Sequence, residues 1–304
     1  MRVIFAGTPE AAVPSLRLLA ASAHEVVQVV TRPSAPLGRK RVLTPSPVDE
    51  VATALGLPVL RASRLGAAET AALTDLGADL AVIVAYGALV AEPLLSAPRL
   101  GWINLHFSLL PRWRGAAPVQ RAIIAGETTT GVDVFRLEAG LDTGPVLASE
   151  PVAIGALETA GNLLARLATI GAAVLLDAVD RLDAGTAVAT PQEGEPTLAP
   201  KLGLADGRLD WSQPADRVLA RIRGCTPEPG AWTTVADRRL KVLEAVPARD
   251  APAVAPGTVV QAAGRVVAGC ADGALELVRV QPEGRAGMPA DAWLRGAGAS
   301  VVLA

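Results

Sequence analysis

Residues 2–31 read RVIFAGTPEAAVPSLRLLAASAHEVVQVVT. The apolar run RVIFA yields to PSLRLLAAS, where apolar positions recur at helical spacing, and then to EVVQVVT, a second β-rich run. Strand, helix and strand in about thirty residues make the unit that lays two parallel strands side by side through a crossover helix. The pattern returns at DLAVIVAYG, residues 79–87, where Leu80 to Ala85 is apolar on both faces, as a central strand covered above and below should be. GWINLHF (101–107) and TGVDVFRL (130–137) predict further strands, with a helix at APVQRAIIAG (117–126) between them, and residues 158–184 hold the longest helical periodicity. The expectation for residues 1–189 is an open, mostly parallel, Rossmann-like α/β sheet with helices on both faces.

Beyond it the stretch TPQEGEPTLAPKLGLADGRLD, starting at Thr190, loses all periodicity, and residues 190–208 are expected to form a linker. A helix at PADRVLARIRG is followed by the short runs AWTTV, RRLKVLEA, GTVVQ, RVVAGC and ALELVRV, separated by Gly, Pro and Asp. Residues 209–304 therefore read as a small C-terminal β-barrel of OB-like type. A larger and a smaller domain suit a length of 304 residues.

Composition narrows the function classes. Hydrophobic residues make up 51% and charged residues 19%, yet no uninterrupted apolar run of about 18 residues occurs, so no membrane span is expected. Gly7 and Pro9 cut the first apolar run before a secretory core could develop, which points to a cytoplasmic protein. Two cysteines, Cys225 and Cys270, are too few for a disulfide framework, and two histidines, His24 and His106, leave little to hold a metal; metal-free chemistry is expected. A net charge of −2 gives no whole-molecule attraction to nucleic acid, so such a partner would need a local basic patch. FAGTPE lacks the G-x-G-x-x-G fingerprint, which disfavours a dinucleotide enzyme.

Asn104 and His106 stand two apart on the strand WINLHF, and a pleat of period two puts both on one face near its carboxyl end, where open α/β sheets bind ligands. A turn-capping asparagine and a satisfied core histidine would explain the same pair. Next comes SLLPRWRGAAP, an irregular loop in which Pro111, Gly115 and Pro118 forbid a continuous helix. Asp142 lies in GLDTG, which on its own reads as an Asx-turn between glycines. RPSAPLGRKRVLTPSPV carries Arg32, Arg39, Lys40 and Arg41 with no acid before Asp49: a basic finger, or simply a solvated charged run. Ser46, opening S-P-V-D, signals a helix start at its far end. His24 matches no motif and reads as structural.

NLHFSLLPRWRGAAPVQRAIIAGETTTGV followed by GLDTGPVL resembles the signature of the 10-formyltetrahydrofolate-dependent formyltransferases, and the WRGAAP form is similar to the tRNA-acting branch. AGTPEAAVPSL, VAYGALV and RIRGCTPEPGAW extend the resemblance over nearly the whole chain. It implies Asn104, His106 and Asp142 as catalytic residues, and Ser108, Leu109, Leu110 and Pro111 as folate contacts. It further implies Arg39, Lys40 and Arg41 at the acceptor arm of methionyl initiator tRNA, with 10-formyltetrahydrofolate as formyl donor; a monomer is the default expectation for the working unit. A small nucleotide or sugar amine is the alternative acceptor. Phe107, Trp102 and the run Val132-Asp133-Val134-Phe135 depart from the family pattern.

Overall fold

The strand–helix–strand reading of the opening residues holds. The computed structural model describes residues 1–38, 41–298 and 301–304. Along the first part of the chain come β1 (Arg2–Gly7), α1 (Val13–Ala20), β2 (Glu25–Thr31), a short ribbon of β3 (Ala35–Leu37) and β4 (Val42–Thr44), α2 (Pro47–Ala54), β5 (Val59–Arg61), α3 (Ala67–Asp75), β6 (Leu80–Val84), β7 (Trp102–His106), α4 (Pro118–Ile124), β8 (Thr129–Arg136), β9 (Val146–Ala153) and α5 (Ala160–Asp183). Seven strands join in the order β5-β2-β1-β6-β7-β8-β9. The pairs from β5 to β7 are parallel and β8 runs antiparallel to β7.

The sheet is covered on both faces, as the doubly apolar β6 requires: all five of its residues are buried. One face sets Ile4, Ala6, Ala81, Ile83 and Trp102 in a cluster with Leu73 of α3. Trp102 is fully accommodated there, its indole N–H donating to the Leu94 carbonyl at 2.8 Å. On the other face Leu105 meets α5 at Gly171, where an added Cβ would lie 2.9 Å from the leucine Cδ2, so a larger residue would have to displace that buried side chain. By length and composition α5 could cross a membrane. It is instead a core helix whose buried stripe of Leu163, Leu167, Ala168, Ala172, Leu175, Val179 and Leu182 follows helical spacing. Each leucine so buried stabilises the fold by about 1.5–3 kcal/mol. At the start of α2 the Ser46 hydroxyl accepts the Asp49 N–H at 3.0 Å, with Pro47 in the first turn, as the S-P-V-D signal predicts.

The later part holds α6 (Ala215–Gly224), β10 (Ala231–Val235), β11 (Arg238–Pro247), β12 (Thr258–Ala262), β13 (Arg265–Gly269), β14 (Ala274–Pro282), β15 (Met288–Pro289), α7 (Ala290–Ala297) and β16 (Val301–Val302). Antiparallel pairing gives the order β10-β11-β14-β13-β12-β16, with β15 on β14. The sheet curls shut: β16 pairs with β12, and Ala304 then exchanges both backbone hydrogen bonds with Thr234 of β10 at 3.0 Å each. Trp211, Ile222, Leu240, Val242, Leu277 and Val280 are among the residues filling its core. Ile124 of α4 packs against that core, and α4 lies close on α6, where a Cβ on Gly224 would come within 2.5 Å of Ile124. Two compact units result, one of residues 1–116, 130–152 and 164–199, the other of residues 117–129, 153–163 and 200–304.

Candidate active site

Strand β7 delivers Asn104 and His106 to one face near its carboxyl end, opposite Phe135 and Asp133 of β8 respectively. The His106 ring is 5% exposed and meets the Phe135 ring edge-on, with centroids 6.3 Å apart. Its Nε2 lies 2.9 Å from the Trp113 carbonyl oxygen. A carbonyl only accepts, so Nε2 carries the hydrogen and Nδ1 faces Asp142, whose Oδ2 is 3.8 Å away. That separation exceeds a direct hydrogen bond but becomes a favourable ion pair whenever Nδ1 is protonated. The same Asp142 oxygen accepts the Gly115 N–H at 2.7 Å. Among the described residues, no group hydrogen-bonds the half-buried Asn104 carboxamide.

Two of the contributing residues hold left-handed backbone: Trp113 at φ 62° and Asp142 at φ 50°. For residues other than glycine this costs of order 1–3 kcal/mol each, so the surroundings must fix it. They do so from an unexpected quarter. Gln192 donates through Nε2 to both the Asp142 and Gly144 carbonyls at 2.8 Å, while its oxygen accepts from the Arg114 guanidinium. Thr197 takes the Trp113 N–H on its hydroxyl at 2.8 Å and the Arg114 N–H on its carbonyl at 2.9 Å. Gly144 has no room for a side chain, since a Cβ would overlap the Arg136 carbonyl oxygen. Gln192 and Thr197 lie in the aperiodic stretch after Thr190, which carries no sequence signal for such a role.

The loop of Ser108, Leu109, Leu110 and Pro111 is built beside His106. The buried Ser108 hydroxyl donates to the Arg112 carbonyl at 2.6 Å, Leu109 packs over Gly131 where a Cβ would sit 2.5 Å from its Cδ2, and the Pro111 carbonyl accepts the Thr197 N–H at 3.3 Å. The Leu110 N–H donates at 2.6 Å to Oδ2 of Asp133, whose Oδ1 accepts the Ser149 hydroxyl. Asp133 is 2% exposed, and burial pushes its carboxyl above the ordinary range, against the opposing pull of Ser149, the Leu110 amide and the nearby His106. A raised folded-state value means that the group supports the fold fully below the unfolded-state pKa, near 4. That support is lost as pH climbs through the folded-state value. Asp133→Asn, which cannot ionise, is therefore expected to raise the melting temperature at neutral pH, the gain vanishing in acid. Parallel melting curves at both pH values check this, and a gain larger in acid would contradict it.

Residues 1–179 match the model of the formyl transferase family, and residues 201–298 that of the formyl transferase C-terminal domain. A methionyl-tRNA formyltransferase of Clavibacter sepedonicus is 60% identical over 304 residues, covering 100% of both chains. The chain belongs to the methionyl-tRNA formyltransferase family. A second methionyl-tRNA formyltransferase, from Leifsonia xyli subsp. xyli, is 56% identical with 100% of each chain covered. Among solved structures, an N-formyltransferase of Helicobacter canadensis in complex with folinic acid and dTDP-3-aminofucose has the same fold, with a TM-score of 0.69 at 15% identity, covering 92% of this chain and 98% of that one.

In this formyltransferase chain the basic finger is the β3–β4 ribbon. Arg41 is exposed at φ 50° near its tip, alongside exposed Leu37, Val42 and Leu43; Arg39 and Lys40 lie outside the described residues. Arg32 is not part of that tip, because its guanidinium donates to the Gly87 carbonyl beyond β6. In the second unit Arg221 is bound to the Asp206 carbonyl at 2.8 Å and Arg223 to the Gly155 carbonyl at 3.1 Å. Arg208 and Arg239 flank the Trp232 ring, 5.9 and 4.8 Å from its centroid. His24 is structural, as expected: its Nε2 meets Asp180 at 2.8 Å.

Proposed function

We propose that this family member transfers the formyl group of 10-formyltetrahydrofolate to the amino group of methionine carried by initiator tRNA, producing formylmethionyl-tRNA for translation initiation. Membership of the family supports the reaction and its acceptor. The observation that carries the chemistry is the convergence of Asn104 with the His106–Asp142 pair on one sheet face, 3.8 Å between Nδ1 and Oδ2. The small-amine alternative is disfavoured, because full-length relatives at 60% and 56% identity are methionyl-tRNA enzymes whereas the N-formyltransferase bound to an aminosugar nucleotide is 15% identical.

The amine nitrogen attacks the formyl carbon, the carbonyl electrons move onto oxygen, and the C–N bond to the folate breaks as they return. The amine gives up one proton and the departing folate nitrogen gains one. Asn104, whose carboxamide has no hydrogen-bond partner among the described residues, donates to the developing oxyanion, a contribution of about 3 kcal/mol for one such donor. His106 relays the proton: its own hydrogen moves to Nδ1, toward Asp142, so that Nε2 leaves the Trp113 carbonyl, accepts the proton of the amine and hands it to the departing folate nitrogen. Asp142 holds the imidazole and favours its protonated form as charge develops. Ser108, Leu109, Leu110 and Pro111 form the wall against the folate. The catalytic part is assigned to residues 1–189 and the tRNA-contacting part to 209–304, joined by 190–208, in a cytoplasmic monomer.

Transfer of labelled formyl to methionine-charged initiator tRNA, beside charged elongator tRNA and a small nucleotide amine, tests the assignment; transfer to the small amine alone would overturn it. Arg39, Lys40 and Arg41 neutralise phosphates of the acceptor arm, which orients the tRNA without reading bases. Neutralising all three is expected to weaken tRNA binding and to flatten the plot of log affinity against log salt by up to about 2–3 units of slope. Folate affinity should not move. An unchanged salt slope would return the finger to an ordinary solvated loop.

A further inference from the structure

Asp133 is an ionisable side chain in a strand of otherwise apolar neighbours, Val132, Val134 and Phe135, and it is 2% exposed. A carboxylate removed from water is costly unless each oxygen finds a donor. Here both do, and the donors come from different elements: the Leu110 amide from the loop after β7, at 2.6 Å, and the Ser149 hydroxyl from β9. On the third side stands His106, its direct neighbour across the β7–β8 pair. With both oxygens engaged elsewhere, Asp133 reaches the imidazole only through charge. The titratable groups facing it are His106 on β7 and, beyond the ring, Asp142; β9 brings only a hydroxyl and the loop only an amide.

We propose that Asp133 is a positioning residue for formyl transfer: its carboxylate fastens the Leu110 amide and so holds the Ser108–Pro111 loop against β8, in the shape that receives the folate donor beside His106. This rests on the donor reading given under the proposed function. The loop is also tied at its far end, where the Pro111 carbonyl accepts the Thr197 N–H at 3.3 Å, but Leu110 is held by Asp133. Ser108 bonds within the loop itself, and Leu109 contributes an apolar contact over Gly131. An apolar residue at 133 would leave the Leu110 N–H without its acceptor and free the loop to shift. Shifts of about an ångström at a reacting centre can cost roughly a hundredfold in rate, so a partial shift in donor position is enough to be measured.

The test compares wild type with Asp133→Ala and Asp133→Asn by calorimetric titration with 5-formyltetrahydrofolate, followed by steady-state formylation. The alanine variant is expected to bind the folate about tenfold more weakly, with the donor KM raised to match. Its KM for charged initiator tRNA should stay near the wild-type value. In the asparagine variant the carboxamide oxygen still accepts the Leu110 amide and its NH2 donates to Ser149, so folate affinity should recover to near wild type. A purely structural role would move both substrates alike and show no such rescue. If the alanine variant fails to fold, Asp133→Val fills the same space with a strand-forming side chain and gives the same reading. Unchanged folate affinity in the alanine or valine variant, or equal losses in folded asparagine and alanine variants, would overturn the proposal. Folate titration involves no acceptor: a wild type that binds folate but leaves charged tRNA unformylated would sink the acceptor assignment alone.

Discussion

Replacing His106 with alanine should lower the single-turnover rate of formyl transfer by about 10²–10⁴-fold, the range that a positioned proton carrier supplies, while folate and tRNA still bind. The ring is the only titratable group whose nitrogens lie between the Trp113 carbonyl, at 2.9 Å, and the Asp142 carboxylate, at 3.8 Å, among the contacts described at the site. Removing it deprives the incoming amine of its proton acceptor and the departing folate nitrogen of its donor. It also removes the hydrogen bond from Nε2 to the Trp113 carbonyl, so binding must be measured separately from rate, by titration with each substrate. Loss confined to the chemical step supports the assignment. Near-normal turnover would remove His106 from the mechanism, and equal loss of folate binding would make it a loop support instead.

The second large effect is expected at Asp142, where two substitutions separate charge from shape. Asp142→Asn keeps an oxygen able to accept the Gly115 N–H, now at 2.7 Å, but removes the negative charge facing His106 Nδ1. The rate should fall by about a hundredfold or more, because the imidazolium formed in the reaction loses its counter-charge. Asp142→Ala also removes the tie to Gly115, releasing the loop that presents the Trp113 carbonyl, and should be slower still. Formylation kinetics of the pair decide the matter. An asparagine variant at the wild-type rate would show that shape alone matters, and an alanine variant no worse than asparagine would show that the Gly115 tie does not.

Much of this was legible before any coordinates. Parallel strands buried on both faces have to be continuously apolar, so β1 and β6 announce themselves; the five β runs after Arg223 likewise coincide with β10 to β14. The shared face of Asn104 and His106 follows from the period of two. What could not be read were contacts made by single side chains from segments without a period. Gln192 grips Asp142 and Gly144 from an aperiodic stretch, and a glutamine there looks like any other polar loop residue. Asp133 was visible as an acid in an apolar strand, but its partners depend on the loop after β7 and on β9, which no spacing relates to it. The barrel itself is expected from those runs, but not the residue that closes it, since that is the backbone of Ala304 pairing with Thr234.

The packing of α4 on α6 bears on how the chain is made. Helix α4 ends at Ile124 and its partner α6 begins at Ala215, 91 positions later (215 − 124). At a synthesis rate of about 5–20 residues per second, roughly 5–18 s pass between the emergence of one and of the other. During that interval Ile124 has no barrel core to pack on, and the nascent chain carries an apolar helix awaiting a surface not yet translated. Chaperone capture during translation should therefore concentrate on ribosomes stalled between these two helices and fall once α6 has cleared the exit tunnel.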